Sequence, residues 1–173
     1  MLSVKQRQTA FYHLLLVLSS LLLVSCAFKT VPQTANGQSI ESLGFNAIPV
    51  HPAFKAYLRI RPSHDALMAR TLTIYIEGDG ANWLFKTIPP RNPTPDQSLV
   101  VALAATDQNH YVLYLARPCQ FIDLRMVKEC DESLWTDGRF STQVIILLNQ
   151  GIDEIVRSMP PLRLNLVGHS GGG

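Results

Sequence analysis

The sequence predicts an α/β fold built on a mostly parallel sheet. Short runs of β-branched, aromatic and leucine residues alternate with helical segments, and turn-forming residues bound each run. The strand candidates are residues 56–60, 72–76, 111–115 and 162–167. Strands that alternate with helices are joined by right-handed crossovers, which makes neighbouring strands parallel. The first two strands are candidates for a hairpin at Ser63-His64-Asp65.

Two segments between these strands carry helical signals. Thr94-Pro95-Asp96-Gln97 supplies a cap, a proline at the first helical position and a glutamine three residues after the cap, and it predicts a helix through residues 99–105. In the second segment, apolar residues recur at helical spacing and Pro160-Pro161 ends the pattern. The apolar stripe consists of Val144, Leu148, Ile152, Ile155 and Met159. We expect this amphipathic helix to pack on the sheet.

The N-terminus has the features of a secretory signal. Lys5 and Arg7 precede an uncharged stretch with an apolar core at residues 14–24. The stretch closes with Leu-Val-Ser-Cys26, which resembles the lipobox of bacterial lipoproteins, where the cysteine becomes the lipidated first residue. We expect a signal peptide over 1–25, a lipid on Cys26 with a tether over 26–46, and a domain over 47–173. An uncleaved membrane anchor is the alternative, because residues 8–28 carry no Asp, Glu, Lys or Arg.

Both interpretations export the rest of the chain and attach it to a membrane through its N-terminus. By the resemblance to lipoproteins, Ala27 after the cysteine indicates the outer membrane in a Gram-negative host. Without the signal peptide, the chain has 13 basic and 13 acidic side chains, so the mature chain is near neutral. Nucleic acid is therefore not an expected partner. The sequence does not specify an oligomeric state.

The three cysteines favour a disulfide. If Cys26 carries lipid, Cys119 and Cys130 remain as a pair in an exported protein, with two unpaired thiols as the alternative. Neither has a second cysteine or a histidine at zinc-finger spacing, so no metal site is expected.

A serine between glycines follows the last strand candidate, in Gly168-His169-Ser170-Gly171-Gly172. This G-x-S-x-G pattern predicts a strained turn that lifts the serine hydroxyl clear of the sheet. Another glycine loop, Glu77-Gly78-Asp79-Gly80, follows the second strand candidate. In a parallel sheet both loops lie at the carboxyl edge, where backbone N–H groups of both can surround a developing oxyanion.

These loops resemble those of the α/β-hydrolase superfamily, together with Ala116-Arg117-Pro118-Cys119-Gln120. The resemblance implies a three-layer α/β-hydrolase-type fold, of which residues 56–173 form the N-terminal part. It assigns Ser170 as nucleophile towards a small-molecule ester or related acyl substrate, with no cofactor. The N–H groups of Gly171 and Asp79 are the implied oxyanion donors, although Glu77 stands where the family more often has histidine.

In the superfamily the triad acid and histidine follow the serine, so we expect them beyond residue 173. Asp123, Asp131 and Asp137 precede the serine and are interpreted as surface charges or caps. His169 occupies the middle elbow position, which points its side chain away from the serine. His51, His64 and His110 are expected to be solvated. Trp83 and Trp135 are expected to pack in the core, with lining of an acyl pocket as the alternative.

The sequence is also compatible with functions other than hydrolysis. A truncated remnant without catalysis, or a binding lipoprotein, is the alternative function. Missing strands after the elbow would leave the last strand with an exposed edge. Gly168 and Gly173 also match the two glycines of the phosphate-binding motif G-x-x-x-x-G-K-[ST]. The Lys and Ser/Thr that distinguish this motif would lie past Gly173.

Overall fold

The structure is a computed structural model that describes residues 30–63, 65, 68–81, 88–161 and 163–173. It contains a five-stranded mixed sheet with helices, so the predicted α/β class is confirmed. The strands are β1 (Asn46–Ile48), β2 (Ala56–Ile60), β3 (Thr71–Ile76), β4 (Tyr111–Leu115) and β5 (Arg163–Gly168). The α-helices are α1 (Leu99–Thr106) and α2 (Thr142–Ser158). The predictions for Cys26, His64 and Trp83 lie outside the described residues.

The strand order is β1-β2-β4-β3-β5. β2 is antiparallel to both β1 and β4, whereas β4, β3 and β5 are mutually parallel. Ile76 at the end of β3 is in register with Leu115 of β4 and Gly168 of β5. The three parallel strands therefore end together, and the loops after them meet at one edge, as the sequence predicts.

The predicted hairpin at Ser63-His64-Asp65 is wrong. β2 pairs with β4 instead of β3, from Ala56 opposite Leu115 to Ile60 opposite Tyr111. β4 takes the central place because its run is apolar on both faces: Val112, Leu113, Tyr114 and Leu115 are each fully buried. A strand buried on both sides packs best between two neighbours.

Two hydrophobic cores lie on opposite faces of the sheet because successive strand residues point to opposite sides. Leu113 and Leu115 of β4 pack with Val144, Leu148 and Ile155 of α2. On the other face, Val112 and Tyr114 pack with Val100, Val101 and Ala104 of α1. The helices thus form layers on both sides of the sheet, and the predicted apolar stripe of α2 faces it.

Helix α1 begins later than the sequence predicts. Its cap is Ser98, whose Oγ accepts a hydrogen bond from the Val101 N–H at 2.9 Å. Thr94, the predicted cap, instead accepts from the Phe121 N–H at 2.7 Å. The loop after β4 needs that acceptor, so a tertiary contact overrides the local capping pattern.

The predicted tether is packed on the domain over the part that the structure describes. Ile40 and Phe45 are 0% and 1% exposed, and Asn46–Ile48 forms the edge strand β1. Arg59 of β2 lies 4.5 Å from the centre of the Phe45 ring. The segment is held by isolated apolar side chains such as Ile40 and Phe45, which do not recur at helical or strand spacing. Because it lacks that periodicity, its sequence indicated a linker. No helix in the described ranges is long and apolar enough to span a bilayer.

Cys119 and Cys130 form a disulfide in the structure, with their Cα atoms 5.5 Å apart. The loop that they close carries one cap, where Asp123 accepts from the Arg125 N–H at 3.1 Å. A second cap follows the loop, where Asp131 accepts from the Ser133 N–H at 3.0 Å. Trp135 is 9% exposed and donates its indole N–H to the Pro90 carbonyl. The predicted roles of these two aspartates and this tryptophan are confirmed.

Candidate functional site

Three loops converge at the carboxyl edge of the parallel strands. They are residues 77–80 after β3, residues 116–120 after β4 and residues 169–173 after β5. These are the segments on which the resemblance to α/β-hydrolases rests. They are separated by dozens of residues along the chain and contact one another directly, so the edge is the candidate site.

Ser170 occupies the turn that follows β5. Its φ is +53°, in the left-handed region that non-glycine residues seldom adopt, and its side chain is exposed. A short 3₁₀ turn, Ser170–Gly172, follows directly. A Cβ at Gly172 would lie 2.6 Å from the Ile76 carbonyl oxygen and would also collide with the Glu77 carbonyl. The turn therefore packs against the end of β3 so closely that only glycine fits there.

The Ser170 hydroxyl faces the Asp79 carboxylate. Its Oγ donates to Asp79 Oδ2 at 3.4 Å, which is long for a hydroxyl hydrogen bond. Arg117 Nη1 lies 3.0 Å from Asp79 Oδ1 without hydrogen-bond alignment, and Arg139 Nε lies 3.9 Å from Oδ2. A contact of 3.4 Å between the hydroxyl and the carboxylate is too loose to position a proton for transfer. Asp79 therefore orients the hydroxyl only loosely.

Arg117 ties the three loops together. It donates from Nη1 to the Gly171 carbonyl and from Nη2 to the Arg139 carbonyl, besides its ion pair with Asp79. Its side chain is 5% exposed. Burial lowers the pKa of the guanidinium, and the Asp79 charge opposes that shift. A Cβ at Gly171 would collide with both partners of this ion pair, so a side chain there would displace the ion pair.

The predicted oxyanion donors lie on two loops, the Gly171 N–H on the loop of the serine itself and the Asp79 N–H on the loop 77–80. Neither the Asp79 N–H nor the Gly171 N–H donates a hydrogen bond to a described residue. Gly78 abuts the elbow, because a Cβ there would lie 3.4 Å from the Ser170 Cβ. Two N–H groups that donate to no described residue, near an exposed hydroxyl, have the composition of an oxyanion site.

Glu77 is a buried carboxylate behind this loop, 4% exposed. Its Oε1 accepts from the Gly78 N–H at 2.9 Å, and its Oε2 accepts from Tyr114 Oη at 2.8 Å and from Ser98 Oγ. Burial, and then the Glu77 charge, raise the pKa of Tyr114 well above its usual value, so the phenol stays a donor. Ser98 caps α1 at the same time, and one carboxylate thus joins β3, β4 and α1.

Sequence reasoning did not single out several side chains of the site. Arg117 and Gln120 lie within a segment that carries the family resemblance, and that was the only signal available for them. Nothing in the sequence marked Tyr114, Ser98 or Arg139, since their relation to the elbow arises only when the loops meet.

A cleft of about 170 Å³ opens beside Ser170. The loop 77–80, His169 and the apolar side chains of Pro95 and Leu99 line it. A cavity of about 250 Å³ next to Leu72 and Tyr111 lies at the amino ends of β3 and β4, away from the serine. Of these two, the cleft at Ser170 is the one lined by a hydroxyl, by Asp79, whose N–H donates to no described residue, and by apolar side chains.

No base for Ser170 is found in the described part of the chain. The imidazoles of His51, His110 and His169 make no hydrogen bond to the serine there. His110 precedes β4, at the opposite edge of the sheet, and it is only partly exposed, with a buried Nδ1. His169 is exposed. The described residues also contain no cluster of three potential metal ligands.

The chain was compared with protein-family models, with curated proteins and with solved structures, and none of the three comparisons gave a match.

Proposed function

We propose that this chain carries the nucleophile and the oxyanion donors of an α/β-hydrolase-type serine hydrolase that cleaves an ester or related acyl bond. The single observation that carries the proposal is the φ of +53° at Ser170, directly after a parallel strand. A non-glycine residue is held in such a conformation only where the surroundings impose it, and strained residues of this kind cluster at active sites.

The proposed reaction begins when a base removes the proton of Ser170 Oγ as the oxygen attacks the acyl carbonyl. The tetrahedral oxyanion then accepts hydrogen bonds from the N–H groups of Gly171 and Asp79. Collapse expels the leaving alcohol, which takes the proton from the base, and water hydrolyses the acyl-enzyme by the same steps. Pro95 and Leu99 offer an apolar wall to the acyl chain.

The base in this scheme is the histidine that the resemblance places after the serine, oriented by an acid. Histidine and acid act with the serine as a unit, and removal of one member costs orders of magnitude in kcat. The imidazoles of His51, His110 and His169 do not fill this role, since none of them contacts the serine hydroxyl. Ser170 is therefore necessary for turnover and insufficient alone.

A non-catalytic binding protein is the second candidate function. It is favoured by the contact between Ser170 Oγ and a carboxylate that Arg117 has already paired. In that case the cleft would hold a ligand without cleaving it, and Ser170 would be no more reactive than an ordinary serine.

Labelling by a fluorophosphonate and hydrolysis of p-nitrophenyl acetate and butyrate distinguish the two functions. They should be measured for the 173-residue chain and for the chain that its reading frame encodes, with Ser170→Ala and the surface control Ser42→Ala. We expect Ser170-dependent turnover wherever acid and histidine are present, and none from residues 1–173 alone. Equal turnover or labelling of the Ser170→Ala variant would refute the proposal, and labelling of neither length would favour the binding protein.

A further inference from the structure

Gln120 is a buried carboxamide held on a strained loop. It is 1% exposed, and its neighbours Cys119 and Phe121 have φ of +72° and +59°. The Cys119 N–H donates to the Ala53 carbonyl at 2.8 Å, and the Phe121 N–H to Thr94 Oγ1 at 2.7 Å. Positive φ at two non-glycine residues, one on each side of Gln120, is unfavourable and persists only where surrounding contacts hold the backbone in place. Their effect is to turn the Gln120 side chain inward.

The orientation of the Gln120 amide is dictated by its partners. Nε2 donates to the Gly78 carbonyl at 2.9 Å and approaches the Pro93 carbonyl at 3.4 Å. Oε1 accepts from the Arg117 N–H at 3.1 Å. The reversed amide would place its oxygen against two carbonyl oxygens and its NH₂ against an N–H, so only one orientation satisfies all three groups.

The Gly78 carbonyl belongs to the same peptide unit as the Asp79 N–H. This unit is planar and trans, so its C=O and N–H point in opposite directions. A hydrogen bond that fixes the carbonyl therefore fixes the direction of the N–H. The preceding peptide is held as well, because Glu77 Oε1 accepts from the Gly78 N–H at 2.9 Å.

We infer that Gln120 is a positioning residue, which holds the Gly78–Asp79 peptide so that its N–H is directed at the acyl oxygen on Ser170. The inference rests on the proposed function. Gly78 lies directly against the elbow, with Ser170 Cβ 3.4 Å from the position of a Gly78 Cβ. Gln120 makes no hydrogen bond to Ser170, and its side chain also abuts Gly80 of the same loop. Its only hydrogen bond to the loop 77–80 is the one to the Gly78 carbonyl, so we expect it to act on the reaction through the oxyanion donor.

The test compares Gln120→Glu and Gln120→Met with Thr94→Val, in whichever length of the chain shows Ser170-dependent turnover. The glutamate keeps the shape and the acceptor for the Arg117 N–H but loses the donor, and the methionine loses both. Thr94 holds the same loop through the Phe121 N–H without touching the Gly78 peptide. It is therefore a matched structural control.

We expect kcat of both Gln120 variants to fall at least about tenfold with KM nearly unchanged, since loss of one oxyanion donor costs roughly 10²–10³ in kcat. Affinity for phenylboronic acid, a tetrahedral adduct former, should fall in parallel. Thr94→Val should lower the melting temperature and leave kcat unchanged.

Three results in the Gln120 variants would overturn the inference: an unchanged kcat in Gln120→Glu, a rise in KM alone, or a failure of both variants to fold. A loss of kcat in Thr94→Val as large as that in Gln120→Met would do so too, because the loop would then act only through stability. Failure of the proposed function is distinct, since it shows either as turnover that does not depend on Ser170 or as labelling of neither length of the chain.

Discussion

Backbone strain at Ser170 can be measured without any catalytic activity, by comparing Ser170→Ala with Ser170→Gly. Both variants lose the hydroxyl and its contact with Asp79. Only the glycine also removes the Cβ, which is what makes a φ of +53° unfavourable. The difference between the two variants therefore isolates the conformational strain of the elbow.

The magnitude follows from two opposing terms. A left-handed conformation costs an L-residue roughly 1–2 kcal/mol. Glycine avoids that cost but loses roughly 0.4–1 kcal/mol through the greater freedom of its unfolded chain. The balance favours Ser170→Gly over Ser170→Ala by about 1 kcal/mol in the free energy of unfolding. For a domain of this size that corresponds to a melting temperature higher by about 2–4 °C.

Thermal and urea unfolding, followed by circular dichroism, measure the difference. Gln150, exposed on helix α2, provides a control of opposite sign. There Gln150→Gly should be less stable than Gln150→Ala by about 1 kcal/mol, because glycine is the poorer helix former. If glycine is also the less stable variant at position 170, Ser170 is not left-handed, and the main support for the hydrolase proposal is lost.

Three further predictions concern the disulfide, the tyrosines and the lipid. A non-reduced digest should yield Cys119 linked to Cys130, and reduction should lower the free energy of unfolding by roughly 3 kcal/mol; recovery of both cysteines alkylated without reductant would exclude the bond. Burial raises the pKa of Tyr57 and Tyr75 to about 12, so their contribution to the free energy of unfolding should be constant below pH 10.0 and be lost as pH rises towards 12. Tyr75→Phe should reduce that slope in urea titrations, and a flat profile up to pH 12 would contradict the assignment. A tagged fatty acid should label the chain and not its Cys26→Ser variant, and equal labelling of both would rule out the lipoprotein interpretation.

The sequence by itself determined the elements whose signals are local. The strand at 111–115 was predictable because its whole run is apolar, and α2 because its apolar stripe recurs at helical spacing. The turn at Ser170 was predictable because the glycines on both sides tolerate its close contacts. The pairing of Cys119 with Cys130 was predictable once Cys26 was assigned to lipid.

Tertiary structure decided which of these elements meet. β2 pairs with β4 and not with β3, and Ser98 caps α1 because Thr94 is engaged by the Phe121 N–H. The contact of Gln120 with the Gly78 carbonyl joins residues 42 positions apart, and that of Arg117 with Gly171 joins residues 54 apart. Local patterns record the preferences of a few neighbouring residues. Contacts between distant loops depend on how the whole sheet packs, because burial of the apolar strands sets their order and brings the loop ends together.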